Sequence, residues 1–262
     1  MSRSSLKNIF ALLDAEQENI PPEKAFLNDF KRSIEMCADK ERRPPSRTFK
    51  PSSMNCMRQS YYQLTGAEQD PVSSNYSLVN ICNSGTDIHE RLQRAVAQMR
   101  ENGMDCDYVD VAEFVKSREL PLDIVDSGKS METKLYSKQY NVSFLCDGII
   151  RYHGHYYILE LKTESIYKWQ NRQGVDPMHY NQGAMYSMLL GLPEVLFIYI
   201  NRDVMDMKAY LYEPSKELIL NLQEYMRDCN SYVALQSVPP VSGVLKKACV
   251  YCEYHNMCNK DG

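Results

Sequence analysis

Residues 141–163 read NVSFLCDGIIRYHGHYYILELKT, and this stretch constrains the fold more than any other part of the chain. Two runs rich in β-branched and aromatic residues, each with a period of two, flank the short sequence His153-Gly154-His155. That pattern predicts two antiparallel strands joined by a tight hairpin. Strand alternation puts Ile158, Glu160 and Lys162 on one face, and Leu159 and Leu161 on the other. A strand interior strips a carboxylate and an ammonium of water, a cost that calls for a role. Asp147 is set in the preceding strand between Leu145 and Ile149, and the hairpin brings it toward Glu160.

The period of two begins near Met131, with METKLYSKQY as a first strand. After ILELKT comes a helix, MHYNQGAMYSMLLG, closed by Gly191 and Pro193. VLFIYINRD and MKAYLYE then predict a second hairpin, and a last long helix covers about 214–235. Upstream, residues 52–64 and 78–101 read as helices. The second carries an apolar stripe of Ile88, Leu92, Ala95 and Met99, with His89 at its edge. Gly103 to Leu122 reads as a helical or irregular insert. Residues 1 to about 36 are helical and amphipathic, with Leu6, Ile9, Phe10 and Leu13, then Phe26, Phe30 and Ile34, on either side of Pro21 and Pro22. Residues 38–53, broken by Pro44, Pro45 and Pro51, read as a basic linker or extended arm. Helices, three strands, a helix, two strands and a helix predict an α/β fold with a mixed sheet covered by helices.

Two hard carboxylates converging at one point suit Mg²⁺ or Mn²⁺. A lysine beside them orients water and stabilises charge developing on a phosphoryl group. The chemistry this predicts is metal-assisted phosphodiester hydrolysis. The alternative for E-x-K alone is a surface salt bridge. Glu132 offers an accessory carboxylate, or else an exposed strand-end side chain.

Nine cysteines, an odd number, exclude a complete disulfide framework. The N-terminus lacks the pattern of a signal peptide, and no run has the apolar length of a membrane span. The expectation is a cytoplasmic protein, where clustered cysteines suggest metal binding or catalysis rather than bridges. Cys249, Cys252 and Cys258 form C-x2-C-x5-C near the C-terminus. His255 as a fourth ligand would give a zinc site of three thiolates and one imidazole. Cys56 would instead give a site of four thiolates, for zinc or an iron–sulfur cluster.

With 44% hydrophobic and 24% charged residues, the chain is neither disordered nor a disulfide miniprotein. A formal charge of −4 argues against coating nucleic acid by bulk charge, but leaves room for local basic grooves. Lys40, Arg42, Arg43, Arg47, Lys50 and Arg58 lead into the Cys56 segment. Lys168 and Arg172 flank Trp169, and Lys246 and Lys247 precede the cysteine trio. Arg and Lys beside aromatic rings suit single-stranded nucleic acid. No helix-turn-helix or zinc-finger spacing and no phosphate-binding G-x-x-x-x-G-K-[ST] occurs.

Asp147, then Glu160-Leu161-Lys162 across a hairpin, resembles the PD-(D/E)xK nuclease superfamily. Gly85 and His89 in SGTDIHERLQ, and Gln182 and Tyr186 in YNQGAMYSMLLG, resemble its RecB-like branch. That branch includes the CRISPR-associated RecB-like exonucleases with an iron–sulfur cluster. The motifs span residues 52–258 in the family's order. The resemblance implies a restriction-endonuclease-like mixed central sheet flanked by helices, with an N-terminal helical extension and a C-terminal cysteine cluster. The extension and linker would be 1–45 and the nuclease domain 46–262. That domain would have a helical part (46–130), the catalytic sheet and helices (131–236) and the cysteine tail (237–262).

By the same resemblance Asp147, Glu160, His89 and the Leu161 carbonyl hold the catalytic Mg²⁺ or Mn²⁺. Lys162 is the catalytic lysine, and Gln182 and Tyr186 position it or the substrate. Cys56, Cys249, Cys252 and Cys258 hold a 4Fe-4S cluster. Cys56 lies in PSSMNCMRQSYYQLTG, where Ser52, Ser53, Arg58, Tyr61 and Tyr62 follow the family pattern and Met57 replaces its proline. Arg58, Lys168, Trp169 and Arg172 would touch DNA. The implied activity is a DNA exonuclease on single strands or ends, in a prokaryotic cell or phage-infected host. Its partners would be DNA and proteins of recombination, repair or CRISPR adaptation. Two other classes compete: a non-catalytic DNA-end binding module and a zinc-stapled interaction protein.

Overall fold

A computed structural model of the chain describes residues 21–41, 46–70, 75–126, 131–241, 249 and 252–261. The expectations for residues 1–20, for Arg42 and Arg43, and for Lys246 and Lys247 lie outside them. The chain divides into two compact units, Met1–Arg43 with Ser73–Asn83, and Pro44–Val72 with Ser84–Gly262. Among the described residues no helix is long and apolar enough to cross a membrane.

The first unit is built on helix α1 (Pro22–Glu41), which Pro22 opens and Glu23 favours at its first turn. The helix continues through 38–41, where the sequence suggested linker, because no helix breaker intervenes before Pro44. Phe26 and Phe30, one turn apart, stack with ring centroids 5.9 Å apart. The Tyr76 amide donates to Glu35 Oε1 at 2.9 Å.

The second unit carries two sheets. Its strands are β1 (Cys106–Val109), β2 (Asp123–Asp126), β3 (Thr133–Ser137), β4 (Val142–Cys146), β5 (Gly148–Tyr152), β6 (His155–Glu164), β7 (Val195–Asn201) and β8 (Met207–Tyr212). The larger sheet has the order β1-β5-β6-β7-β8, and the smaller has the order β2-β3-β4. Among these eight strands β6 and β7 pair in parallel and the other ladders are antiparallel. The predicted hairpin forms between β5 and β6. His153 and Gly154 are its two turn residues, at φ +48° and +83°, which suits the twist of the strands it joins. The parallel step to β7 needs a crossover, supplied by the segment containing helices α5 (Ile166–Gln170) and α6 (Tyr180–Leu190).

Alternation along β6 separates two cores. Ile158 enters a large core with Phe197, Tyr199, Met185, Leu189 and Leu190. Helices α2 (Met57–Thr65), α6 and α7 (Lys216–Ala234) pack on that face. Leu159 and Leu161 enter a smaller core with Cys106, Ile150 and Ile200. Ile88, Leu92, Val96 and Met99 of helix α3 (Tyr76–Ala97) and the turn after it cover this second face. Val96, rather than Ala95, completes the stripe against this core. This mixed five-stranded sheet flanked by helices agrees with the restriction-endonuclease-like architecture expected.

Three local expectations are corrected. The 103–122 insert holds an edge strand, β1, paired to β5, and helix α4 (Val111–Ser117), and it leads into β2. The short strands lack enough alternation to be read alone. Helix α4 starts where Asp110 accepts the Glu113 amide at 2.7 Å. The arm at 38–53 is pinned at its end: Phe49 is buried, its amide donates to Asn141 O, and its carbonyl accepts from the Ser143 amide. NVSFLCDGIIRY is not one strand. It breaks at Asp147, with β4 in one sheet and β5 in the other.

Candidate active site

That break exposes a strand edge. β5 ends its pairing at Gly148↔Leu159, so among the described residues β6 from Glu160 onward has no strand partner on that side. The Asp147 carboxylate fills the place of the missing strand, with Oδ2 accepting the Leu161 amide at 2.7 Å. A strand residue directs its amide and carbonyl to the same edge, so the Leu161 carbonyl faces this side too.

Glu160 and Lys162 stand on one face of β6, as alternation predicts. Lys162 Nζ lies 2.6 Å from Glu160 Oε1. Gln182, from α6, ties the pair together. Its Oε1 accepts from Lys162 Nζ at 3.0 Å and its Nε2 donates to Glu160 Oε1 at 2.7 Å. The same Nε2 donates to Tyr186 Oη at 2.9 Å, and Tyr186 donates onward to Leu145 O at 2.7 Å. The i, i+4 spacing puts Gln182 and Tyr186 on one helical face, where this relay requires them. Glu160 Oε2 is buried and has no hydrogen-bond partner among the described residues. An orphaned carboxylate oxygen beside a second carboxylate is a donor that suits a divalent cation.

Helix α3 supplies two groups. His89 Nδ1 lies 3.5 Å from Asp147 Oδ1. Gln93, one turn further on, is buried and donates to the Asp147 carbonyl at 2.7 Å. Tyr108 Oη donates to the same carbonyl at 2.9 Å and to Met131 O at 3.2 Å. Asp147 is thus gripped through both its main chain and its side chain. His89, Glu132 and Asp147 each place a ligand atom within 4.8 Å of the others. All three, with Glu160, Lys162, Gln182 and Tyr186, line one open cleft of about 440 Å³.

Burial pushes the Glu160 carboxyl up, and Asp147 adds to that rise against the pull of Lys162. Burial raises the Glu132 carboxyl as well, helped by Asp147. For His89 burial opposes protonation, but the hydrogen bond and charge of Asp147 prevail and raise its pKa. An incoming cation therefore favours loss of the protons these groups would otherwise hold.

The residues expected to touch DNA are mostly occupied elsewhere. Arg58 is buried; its Nε donates to Pro239 O at 2.7 Å and its Nη1 to Cys258 O at 3.0 Å. Arg172 is clasped by Glu164, Asp176 and Gly174 O, with its guanidinium carbon 4.0 Å from the Tyr199 ring centroid. Trp169 packs against the large core, and Lys208 Nζ sits 4.3 Å from its ring centroid. Lys168 is exposed. Lys50 and Lys134 line the cleft instead.

Sequence reasoning missed Gln93 and Tyr108. Gln93 was within reach, being four residues from His89 on the same helix face. Tyr108 was hidden with its strand. His179 was missed too. It stacks on Phe197 and Tyr199, and its Nδ1 lies 2.8 Å from Tyr199 Oη. Burial, then Lys162, holds its pKa down to about 3.

Cys56, Cys249, Cys252, Cys258 and His255 line one small cavity. Both candidate fourth ligands are therefore at the trio. Cys56 stands at the N-cap position of α2 and makes no side-chain capping hydrogen bond there. Arg58 Nη1 approaches Cys258 Sγ at 3.5 Å. The tail is stitched to the front of the unit by Tyr62 to Asp261 Oδ2 at 2.6 Å, and by the Asp70 amide to Glu253 O at 2.7 Å. Burial raises the Cys56 and Cys252 thiols, so they ionise readily only beside a bound cation.

No protein-family model matches this sequence, and no curated protein matches it. The chain is similar in structure to SSO0001, with 16% identity, covering 88% of this chain and 96% of that one at a TM-score of 0.48. It is also similar to LHK-Exo in complex with dAMP, with 14% identity, 73% of this chain and 90% of that one, and a TM-score of 0.45. A further crystal structure, of an alkaline exonuclease (LHK-Exo) from Laribacter hongkongensis, matches with 9% identity over 73% and 90% of the two chains, at a TM-score of 0.35.

Proposed function

We propose that this chain is a divalent-metal-dependent deoxyribonuclease of the PD-(D/E)xK type, RecB-like, acting as an exonuclease on single strands or DNA ends. The observation that carries the reading is the junction of Asp147, Glu160 and Lys162 at the broken edge of β6, with Gln182 bridging the last two and Glu160 Oε2 unpartnered among the described residues. Asp147 and Glu160, with the Leu161 carbonyl and His89, are the donors for Mg²⁺ or Mn²⁺. An imidazole nitrogen makes Mn²⁺ more acceptable. When bound, the cation polarises a phosphoryl oxygen and makes water a better nucleophile. Lys162 orients the attacking water and stabilises charge growing on the phosphoryl group. Gln182 fixes the Lys162 ammonium against Glu160, and Tyr186 fixes Gln182. Lys50 and Lys134 receive backbone phosphates along the cleft, in place of Arg58 and Arg172.

Cys56, Cys249, Cys252 and Cys258 are the donors for a 4Fe-4S cluster, which would join the start of the nuclease unit to its end. The buried Arg58 guanidinium offsets thiolate charge there. His255 in the same cavity keeps a zinc site as the second reading. The setting is cytoplasmic DNA recombination, repair or CRISPR adaptation, in a prokaryotic or phage-infected cell. The test is incubation of end-labelled single- and double-stranded DNA with Mg²⁺, Mn²⁺ or a chelator. Metal-dependent release of nucleotides from ends supports the reading, and intact DNA in every arm refutes it.

A further inference from the structure

Strand β6 carries a third charged residue on the face that holds Glu160 and Lys162. Alternation puts Glu164 there, and it is buried. Positions two apart on a strand are separated by roughly 6.7 Å, so Lys162 stands midway between two buried carboxylates. Its long, flexible stem can swing toward either one. The ammonium nevertheless goes to Glu160, at 2.6 Å.

Arg172 accounts for that choice. It lies in the crossover between α5 and α6, and its guanidinium meets Glu164 edge to edge. Nε donates to Glu164 Oε2 at 2.7 Å and Nη2 donates to Oε1. Both carboxylate oxygens are thereby engaged in a bidentate pair. The pair is nearly closed to solvent, with 9% of the arginine side chain and 7% of the glutamate side chain exposed.

Arg172 is itself anchored, so it cannot leave Glu164 at little cost. Nη1 donates to Gly174 O at 3.0 Å, and Nη2 donates to Asp176 Oδ2 at 3.1 Å. The guanidinium carbon lies 4.0 Å from the centroid of the Tyr199 ring, and Tyr199 is the register partner of Lys162 on β7. Tyr199 Oη in turn accepts the Asp176 amide at 3.0 Å. Glutamate, arginine and ring thus form one closed assembly beside the lysine.

We infer that Arg172 is a positioning residue for cleavage: it withdraws Glu164 from Lys162 and so leaves the ammonium to Glu160 and Gln182. The inference rests on the reading of Lys162 as the catalytic lysine. Without the guanidinium, the Glu164 carboxylate pulls the ammonium along β6, away from Glu160. A neutral side chain at 164 removes that pull.

The experiment measures kcat and KM on single-stranded DNA with Mn²⁺, and the urea midpoint, for wild type, Arg172→Gln and the double variant Arg172→Gln with Glu164→Gln. Arg172→Gln is expected to lose roughly 10–100-fold in kcat with KM unchanged. The double variant is expected to regain most of that loss. If Arg172→Gln does not fold, Arg172→Lys carries the same comparison, since its ammonium engages Glu164 less fully. Its expected loss is smaller and is likewise regained with Glu164→Gln. An ion pair that serves the fold alone moves the urea midpoint and leaves kcat of the folded protein at the wild-type value, and that result overturns the inference. A double variant as slow as the single one overturns it too. Both results leave the nuclease reading standing, whereas no cleavage by wild type overturns that reading and the inference together.

Discussion

Asp147 Oδ2 accepts the backbone amide of Leu161 at 2.7 Å, across the gap where β5 has stopped pairing with β6. One carboxylate oxygen thus replaces a ladder partner, while Oδ1 faces His89. An asparagine can keep the acceptor but not the charge. We predict that Asp147→Asn folds with a thermal midpoint close to wild type and loses metal-dependent cleavage by about a hundredfold or more. Asp147→Leu should lose, in addition, roughly 1–3 kcal/mol of stability, because the Leu161 amide is left unpaired. Urea unfolding of both variants separates the two effects.

The Gln182 side chain touches Glu160, Lys162 and Tyr186 together. Gln182→Ala should lower cleavage roughly 10–100-fold by freeing the lysine, with the loss in kcat rather than KM. Tyr186→Phe leaves the Leu145 carbonyl and one Gln182 proton unpaired. Its expected cost is about 1–3 kcal/mol in urea unfolding, with a smaller effect on rate.

The cysteine cavity gives a test by composition. Protein purified without oxygen should contain iron and sulfide and absorb broadly in the visible. Cys56→Ala should abolish both and lower the thermal midpoint strongly, because a cluster bound there would close nearly the whole unit. His255→Ala should keep both. Colourless protein with one zinc, lost on His255→Ala, would favour the zinc site instead.

His179 supplies a pH dependence. Its pKa is held down to about 3 by burial, against an ordinary value near 6.5, so the folded state excludes the proton that the unfolded chain accepts. The stability it contributes is present above about pH 6.5 and is lost as pH falls toward 3. Between pH 7 and pH 4 we predict a loss of roughly 1–3 kcal/mol from this residue. His179→Gln should flatten that slope, measured as the urea midpoint against pH.

Much of the architecture was legible because β6 is long and alternates cleanly. Ile158, Glu160 and Lys162 took one face, and His153-Gly154 made the turn. Gln182 and Tyr186 followed from the resemblance to the RecB-like nucleases, and helical spacing put them on one face. β1 and β2 were not legible, since four-residue strands show too few alternations to stand out. The break at Asp147 was hidden because Leu145, Asp147 and Ile149 alternate as if in one strand. Only pairing across two sheets separates them. Arg58 and Arg172 misled because sequence shows charge but not burial. Each lies among acceptors that sequence places far away or gives no sign of, Pro239 and Cys258 for one and Glu164 and Asp176 for the other.

The most direct test of the account is Lys162→Met beside wild type, on end-labelled single-stranded DNA with Mn²⁺. Methionine keeps the length and apolar stem of the lysine and removes the ammonium, which pairs with Glu160 and Gln182 and stands at the centre of the proposed chemistry. The account predicts rapid cleavage by wild type, none detectable by the variant, and equal DNA binding by both. Cleavage at the same rate by the variant, or none by wild type with Mn²⁺ or Mg²⁺, would contradict it.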